Sequence, residues 1–179
     1  MTDKHLGGRF DGTDDDPYDV FYVATPGTAT SVAFWERMQD EVELKPLTSE
    51  QFIFRSKLDG LNFLHLRNVK RLRLTDVRDH LGARRFLARI KVLQGDDRLL
   101  TRAWASFMRR RAPKNHGLLY RSMMATVSAG TIGGDAAVLM QPICGPQFFE
   151  QVGDPVPLSS GPGLREVKLA LKNSGVGLA

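Results

Sequence analysis

The segment from residue 86 to residue 111 constrains the fold of this chain more than any other stretch. Its first part, FLARIKVL, alternates in a period of two that predicts a strand with one buried face. Its second part spaces apolar residues as a helix does. Asp96 or Asp97 can cap the helix start, Arg109, Arg110 and Arg111 suit its negative end, and Pro113 stops it. The predicted inward positions are Phe86, Ala88, Ile90 and Val92 in the strand, and Leu99, Leu100, Ala103, Trp104, Phe107 and Met108 in the helix.

The charge of the chain is unevenly distributed. The net charge is +5, but residues 55–114 alone carry 17 Lys and Arg against 5 Asp and Glu. The first 16 residues run the other way, with five Asp, one Lys and one Arg. A basic body with an acidic tail predicts a polyanionic partner, namely nucleic acid, an acidic lipid surface or a protein that carries one. The alternative is that the cations only keep a small protein soluble.

Length and composition favour one folded domain. With 179 residues, 42% of them hydrophobic, we expect a single domain over residues 18–179. Residues 1–17 are rich in Gly and Asp and are predicted to be a disordered acidic tail. No apolar run approaches the ~20 residues that span a bilayer. We expect no secretory signal, because the chain does not open with a basic region followed by an apolar one. The single cysteine, Cys144, fits a reducing compartment, so we expect an intracellular, non-secreted protein.

The remaining pattern predicts an α+β fold, a mostly antiparallel sheet packed by one long amphipathic basic helix and one or two shorter helices. Thr30 or Ser31 is predicted to cap one shorter helix, which carries Val32, Phe34, Trp35 and Met38, and Thr75 can cap another. Residues 51–58 fit either a helix or a strand. The predicted strands cover residues 18–24, 69–74, 119–129, 135–143 and 166–172, the last with Val167, Leu169 and Leu171 facing inward. Residues 145–163 are predicted as a surface loop, and the final seven residues as frayed.

Catalytic and metal-binding signatures are missing from the sequence. The four histidines, His5, His65, His80 and His116, are scattered, and none pairs with Cys144 at zinc-ligand spacing. The GxxxxGK[ST] and GxGxxG phosphate-binding patterns and the GxSxG nucleophile turn do not occur. We therefore expect a non-enzymatic protein with no metal, no cofactor and no small-molecule substrate.

Residues 74–91 carry a second pattern, that of a helix-turn-helix motif. Leu74, Val77 and Leu81 would form its buried side, Gly82 its turn, and the basic residues up to Arg89 its reading helix. Residues 86–93 alternate like a strand as well. The sequence therefore leaves a DNA-binding regulator open as an alternative.

Four segments resemble the matrix proteins of rhabdoviruses in their order and pattern. They are ARIKVLQGDDRLLTRAWASFM (residues 88–108), HGLLYRSMMATVSAG (116–130), AAVLMQPIC (136–144) and GLREVKLALKNSG (163–175). The chain lacks the PPxY and PTAP budding motifs, and residues 30–82 have no counterpart in the resemblance. The resemblance implies a self-associating structural protein that condenses a viral nucleocapsid and lines an envelope. Such a protein would be found in the virion and in the host cytoplasm or nucleus.

The candidate binding residues are cations of the basic body. Arginine suits phosphate because its planar group gives forked hydrogen bonds as well as charge. The candidate contacts are Lys70, Arg71, Arg73, Arg84, Arg85, Arg89, Lys91, Arg98, Arg102, Arg109, Arg110, Arg111 and Lys114. The leading hypothesis is a structural protein that binds nucleoprotein or nucleic acid and an anionic membrane surface through these residues. The alternatives are the DNA-binding regulator and a structural subunit of an RNA-containing assembly.

Overall fold

The computed structural model describes residues 10–26, 29–38, 51–79, 97–122, 134–172, 174 and 176–179. Within these ranges the fold is α+β, as predicted. The helices are α1 (Ala29–Met38), α2 (Arg98–Arg111) and α3 (Gly161–Leu171). The strands are β1 (Val20–Ala24), β2 (Gln51–Ile53), β3 (Asn62–Phe63), β4 (Leu66–Asn68), β5 (Leu74–Asp76), β6 (Gly117–Arg121), β7 (Asp135–Met140), β8 (Phe149–Gln151), β9 (Val156–Pro157) and β10 (Val176–Leu178).

The described strands pair mostly in antiparallel fashion, which confirms the prediction. A four-stranded sheet has the order β1-β7-β6-β5. Backbone hydrogen bonds beyond both ends of β7 make it antiparallel to β1 on one side and to β6 on the other. The pairs β3–β9 and β4–β8 are antiparallel, whereas β5–β6 and β2–β10 are parallel.

Contacts within the chain define two compact units. The first consists of Met1–Val23, Val69–Tyr120 and Ala137–Phe148, and the second of Ala24–Asn68, Arg121–Ala136 and Phe149–Ala179. Compact units of this kind can belong to one domain. The single domain over residues 18–179 therefore stays a prediction.

The first unit is built around β7. Its residues 136–140 are all buried, as the unbroken apolar sequence of the strand requires. Gly117 of β6 approaches β7 so closely that a Cβ atom there would lie 1.9 Å from the carbonyl oxygen of Val138. Only glycine fits at this point, and so β6 can lie tightly against β7.

Helix α2 has the bounds that its sequence predicts. The Asp97 side chain caps its start and accepts a hydrogen bond from the backbone N–H of Leu100 at 2.9 Å. At the other end, the backbone N–H of Ala112 donates to the carbonyl oxygen of Met108 at 2.9 Å, just before Pro113. The strong local signals at Asp97 and Pro113 therefore fix both ends of the helix.

The predicted inward face of α2 is only partly correct. Trp104 and Met108 are buried as expected, and with them Thr101, Ala105 and Ser106. The exposed positions include Leu99, Leu100, Ala103 and Phe107, all predicted to face inward. The helix buries a face that contains small and polar residues, because these allow close packing where a row of leucines would not.

The second unit is built on α1 and α3, which pack against each other. Helix α1 begins at Ala29, so Thr30 and Ser31 lie within it and do not cap it. Its buried residues include Val32, Phe34, Trp35 and Met38, the apolar stripe that the sequence predicts. Burial of such side chains stabilises a fold by roughly 1.5–3 kcal/mol each. The apolar stripe therefore explains why this segment forms a buried helix.

The prediction of a last strand over residues 166–172 is wrong, because this segment forms most of α3. Val167, Leu169 and Leu171 do alternate as in a strand. However, Val167, Ala170 and Leu171 also share a helical face, and it is this set that is buried, while Leu169 is 62% exposed. The segment therefore forms a helix and not a strand, because the helical face that contains Ala170 packs inward.

Other predictions also need correction. Residues 145–163 are not a plain loop, since they contain β8, β9 and the start of α3. Residues 176–178 are not frayed, since they form β10 and pair with β2. Of the segment that fits either a helix or a strand, residues 51–53 form the strand β2 and residues 55–58 a short 3-10 helix. Thr75 lies inside β5 and caps no helix, and residues 69–73 form no strand. The predicted strand over residues 86–93 lies outside the described residues.

Candidate anion-binding surface

Four exposed cations, Lys70, Arg71, Arg73 and Lys114, form what we call the basic cluster. Its two chain segments are joined at His116. The backbone N–H of Arg73 donates to Nδ1 of His116 at 2.8 Å, and the backbone N–H of His116 donates to the carbonyl oxygen of Arg73 at 2.8 Å. This reciprocal pair of hydrogen bonds holds residues 69–73 beside the chain that follows α2.

An aromatic contact supports the same cluster. The rings of His116 and Phe148 lie with their centroids 4.8 Å apart, and the Lys70 ammonium lies 5.3 Å from the Phe148 ring centroid. The backbone N–H of Val69 also donates to the carbonyl oxygen of Phe148 at 2.9 Å. The Phe148 ring therefore positions Lys70 by a cation–π contact and keeps its charge at the surface.

The charges of the basic cluster are not neutralised within the described part of the chain. None of its four side chains makes an ion pair with another described residue. Arg111, at the end of α2 and three residues before Lys114, is exposed and is likewise without an ion pair to any described acid. The geometry therefore leaves five cations open to an external anion.

A second structure, which we call the acidic clasp, consists of residues 10–18. Thr13 and Asp16 exchange two backbone hydrogen bonds of 3.1 Å, so the segment turns tightly. Phe10 anchors it: the Phe10 side chain is fully buried, with its ring centroid 5.0 Å from that of Tyr120. The Tyr18 hydroxyl donates to the carbonyl oxygen of Phe10 at 3.1 Å and closes the loop.

The acidic clasp binds three arginines of α2, which we call the arginine face: Arg102, Arg109 and Arg110. Nε of Arg102 donates to the carbonyl oxygen of Gly12 at 3.0 Å. Nε of Arg109 donates to Asp16 Oδ2 at 3.3 Å, and its Nη2 donates to Oδ1 of the same carboxylate. Nη1 of Arg110 lies 3.4 Å from Asp16 Oδ2. The Asp16 carboxylate therefore interacts with two guanidinium groups.

The pair between Asp16 and Arg109 is largely shielded from solvent. Their side chains are only 10% and 24% exposed, so solvent screens them less than it screens a surface ion pair. The Arg109 guanidinium also lies 4.8 Å from the centroid of the Tyr18 ring. Burial raises the pKa of the Tyr18 hydroxyl, so this ring stays neutral at physiological pH. The clasp thus offers Arg109 both a carboxylate and an aromatic face.

The clasp corrects part of the predicted disordered tail. Residues 10–17 are held in place because Phe10 supplies a large buried side chain and Asp16 finds cationic partners. The sequence signal was Phe10 itself, a bulky aromatic among Gly and Asp residues. Residues 1–9 lie outside the described residues.

The predicted contacts therefore fall into four groups. Lys70, Arg71, Arg73, Arg111 and Lys114 are exposed, while Arg102, Arg109 and Arg110 hold the clasp, and Arg98 is half-buried with partners of its own. Arg84, Arg85, Arg89 and Lys91 lie outside the described residues. His116 and Phe148, which support the basic cluster, were not predicted as site residues, since only the fold brings them to it.

Three observations bear on the other predicted functions. Leu74 belongs to strand β5, where a helix-turn-helix would need the start of its first helix. Cys144 is fully buried, and burial raises the pKa of its thiol, which makes it a poor nucleophile. Among the described residues, no group of three or more His, Cys, Asp or Glu side chains is placed to hold a metal ion.

The chain was compared with known proteins at the level of sequence and of structure. No protein-family model, no curated protein and no solved structure matches it. Over the described residues, no helix is long and apolar enough to cross a membrane. The geometry of the basic cluster and of α2 is therefore the basis for the function proposed below.

Proposed function

We propose that this chain is a non-enzymatic, viral matrix-like structural protein whose basic cluster binds phosphates of nucleic acid in a nucleoprotein. The observation that carries the proposal is the basic cluster itself. Four cations stand exposed on a scaffold fixed by the His116–Arg73 hydrogen bonds and the Phe148 ring. Such an arrangement suits binding of phosphate without chemistry, because it offers charge and donors in fixed positions.

A salt titration of binding to single-stranded RNA tests this proposal. Each phosphate contact contributes a slope of about 0.7 in the logarithmic dependence of affinity on salt. The variant Lys70→Gln, Arg71→Gln, Arg73→Gln, Lys114→Gln should lose up to about 3 units of slope and about 10- to 100-fold in affinity at physiological salt.

A matched control separates a defined surface from net charge alone. Arg55, Arg165, Lys168 and Lys172 are also exposed and also consist of two arginines and two lysines. Their replacement by Gln removes the same charge from the other compact unit, and we expect less than about a threefold loss of affinity, a long-range charge effect only. Equal losses in both variants, or a flat salt response of the native chain, would refute the proposal.

We propose an anionic membrane surface as the second partner, bound by the open side of α2. Leu99 and Phe107 are 68% and 37% exposed, and Ala103 lies between them. Arg111, which is exposed and has no ion pair to a described acid, follows at the same four-residue spacing, so apolar and cationic groups share one face. A face of this kind is typical of helices that lie in a membrane interface and contact acidic lipids.

Vesicle binding tests the membrane contact. Leu99→Gln with Phe107→Gln should weaken binding to vesicles that contain phosphatidylserine by about tenfold, since two apolar side chains leave the interface. Leu169→Gln with Phe54→Gln is the matched control, because these side chains are also a leucine and a phenylalanine and are exposed elsewhere, at 62% and 61%. Binding that is as strong to neutral phosphatidylcholine vesicles, or equal losses in both variants, would argue against this contact.

A further inference from the structure

We infer that the acidic clasp is an internal competitor of polyanions at the arginine face of α2. This inference rests on the proposed function, because it assumes that the chain binds a polyanion. It adds that the three arginines Arg102, Arg109 and Arg110 are a second polyanion-binding surface, covered by the chain's own residues 10–18.

The chemistry of the contact supports this inference. The Asp16 carboxylate accepts from two nitrogens of Arg109 and lies 3.4 Å from Arg110. Guanidinium groups bind carboxylates and phosphates in the same forked geometry. The clasp therefore occupies the donors of Arg109 that a phosphate group would use.

The surroundings of the contact also point to competition. Asp14 and Asp15 are exposed in the same turn, so the covered face presents negative charge to solvent where the uncovered helix would present arginines. The clasp is part of the same chain, so it competes at an effective concentration on the order of millimolar. A short oligonucleotide would therefore bind the open basic cluster first and gain the arginine face only where the clasp is released.

Removal of the Asp16 charge in the full chain tests the inference. Asp16→Asn keeps the size of the side chain but weakens its hold on Arg109 and Arg110. Its affinity for a single-stranded RNA oligonucleotide should rise about tenfold at physiological salt, with a steeper salt dependence, since two arginines become available. Asp14→Asn removes the same charge from an exposed position without an ion pair to any described residue, and should change the affinity less than about twofold.

A second measurement uses the native chain and does not depend on the variant folding. The backbone N–H groups of Gly12 and Asp16 are hydrogen-bonded inside the clasp, to Tyr18 and Thr13. Saturation with a long single-stranded RNA should increase hydrogen exchange at both amides if RNA displaces the clasp. Unchanged exchange at saturation would overturn the inference.

The outcomes separate the two proposals. If the native chain binds RNA with salt dependence but Asp16→Asn gains no more than Asp14→Asn, the competitor inference is wrong and the proposed function stands. If neither the native chain nor Asp16→Asn binds RNA, both are wrong. A gain in Asp16→Asn that persists when the basic cluster is neutralised, and disappears when Arg102, Arg109 and Arg110 are replaced by Gln, supports the competitor inference.

Discussion

The basic cluster and the arginine face of α2 belong to the same compact unit and carry the same kind of charge, yet their surroundings differ. The cluster stands on hydrogen bonds and an aromatic ring that leave its charges in solvent. The arginine face is covered by a carboxylate, a carbonyl oxygen and the Tyr18 ring. The difference teaches that the number of arginines does not define a binding surface. What matters is which arginines pair with an acidic residue of the same chain and which remain exposed.

The largest effect should come from breaking the anchor of the clasp. Phe10→Ala removes a fully buried ring between Tyr22 and Tyr120, and should lower the free energy of unfolding by about 3 kcal/mol or more. Urea unfolding measures this change. Asp14→Ala, in the same segment but exposed, should stay within about 0.5 kcal/mol. A small effect of Phe10→Ala would mean that the clasp is not anchored in the core.

The next effect compares one arginine from each region. Arg109→Ala leaves the Asp16 carboxylate largely buried without its main partner, and should lower the free energy of unfolding by about 1–3 kcal/mol. Arg71→Ala, in the open cluster, should lower it by less than about 0.5 kcal/mol. Chemical denaturation of both variants gives the comparison. Similar values would show that Arg109 is no more tightly held by an acid of the chain than Arg71 is.

A smaller effect should follow from removing the ring that supports the basic cluster. Phe148→Ala loses the contact with His116 and the cation–π contact with Lys70, together worth about 1 kcal/mol. Its salt slope for RNA binding should also fall, because Lys70 is no longer positioned. Phe54→Ala, whose ring is exposed, is the control and should leave both quantities unchanged. An unchanged salt slope in Phe148→Ala would mean that the ring does not position the charge.

The smallest effect concerns an exposed ion pair that contrasts with the clasp. A hydrogen bond from Arg78 lowers the pKa of Asp76, so the pair stabilises the fold above the ordinary aspartate pKa of about 3.9. This contribution is lost as the pH falls through the lowered pKa. Asp76→Asn should therefore cost less than about 0.5 kcal/mol at pH 7, because both side chains are well exposed, and less at pH 2 than at pH 7. Unfolding curves at the two pH values measure it, and an equal cost at both would exclude the ion pair as its source.

Local signals in the sequence were sufficient to predict several secondary-structure elements. The cap at Asp97 and the stop at Pro113 gave the limits of α2, and the apolar stripe of α1 gave its buried side. β7 followed from its continuous apolar run. In each case neighbouring residues carry the information, through capping, backbone restriction or burial of one face.

Elsewhere the apolar pattern fitted both a strand and a helix, or two different buried faces of one helix. Packing against other elements determined which of them formed. Val167, Leu169 and Leu171 fit a strand as well as Val167, Ala170 and Leu171 fit a helix, and contact with α1 favours the helix. Leu99 and Phe107 fit a buried stripe, but the core takes Thr101 and Ala105 instead. The pattern of apolar residues cannot decide this, because the shape of the facing surface is set by other elements.

The sequence by itself determined where the positive charge lies and where helix α2 begins and ends. Only the tertiary structure decided which arginines remain open. Asp16 and Arg109 are 93 positions apart, and they meet because Phe10 is buried against strands that form the same sheet. An ion pair of this kind leaves no local pattern, since it depends on the path of the whole chain between its two partners.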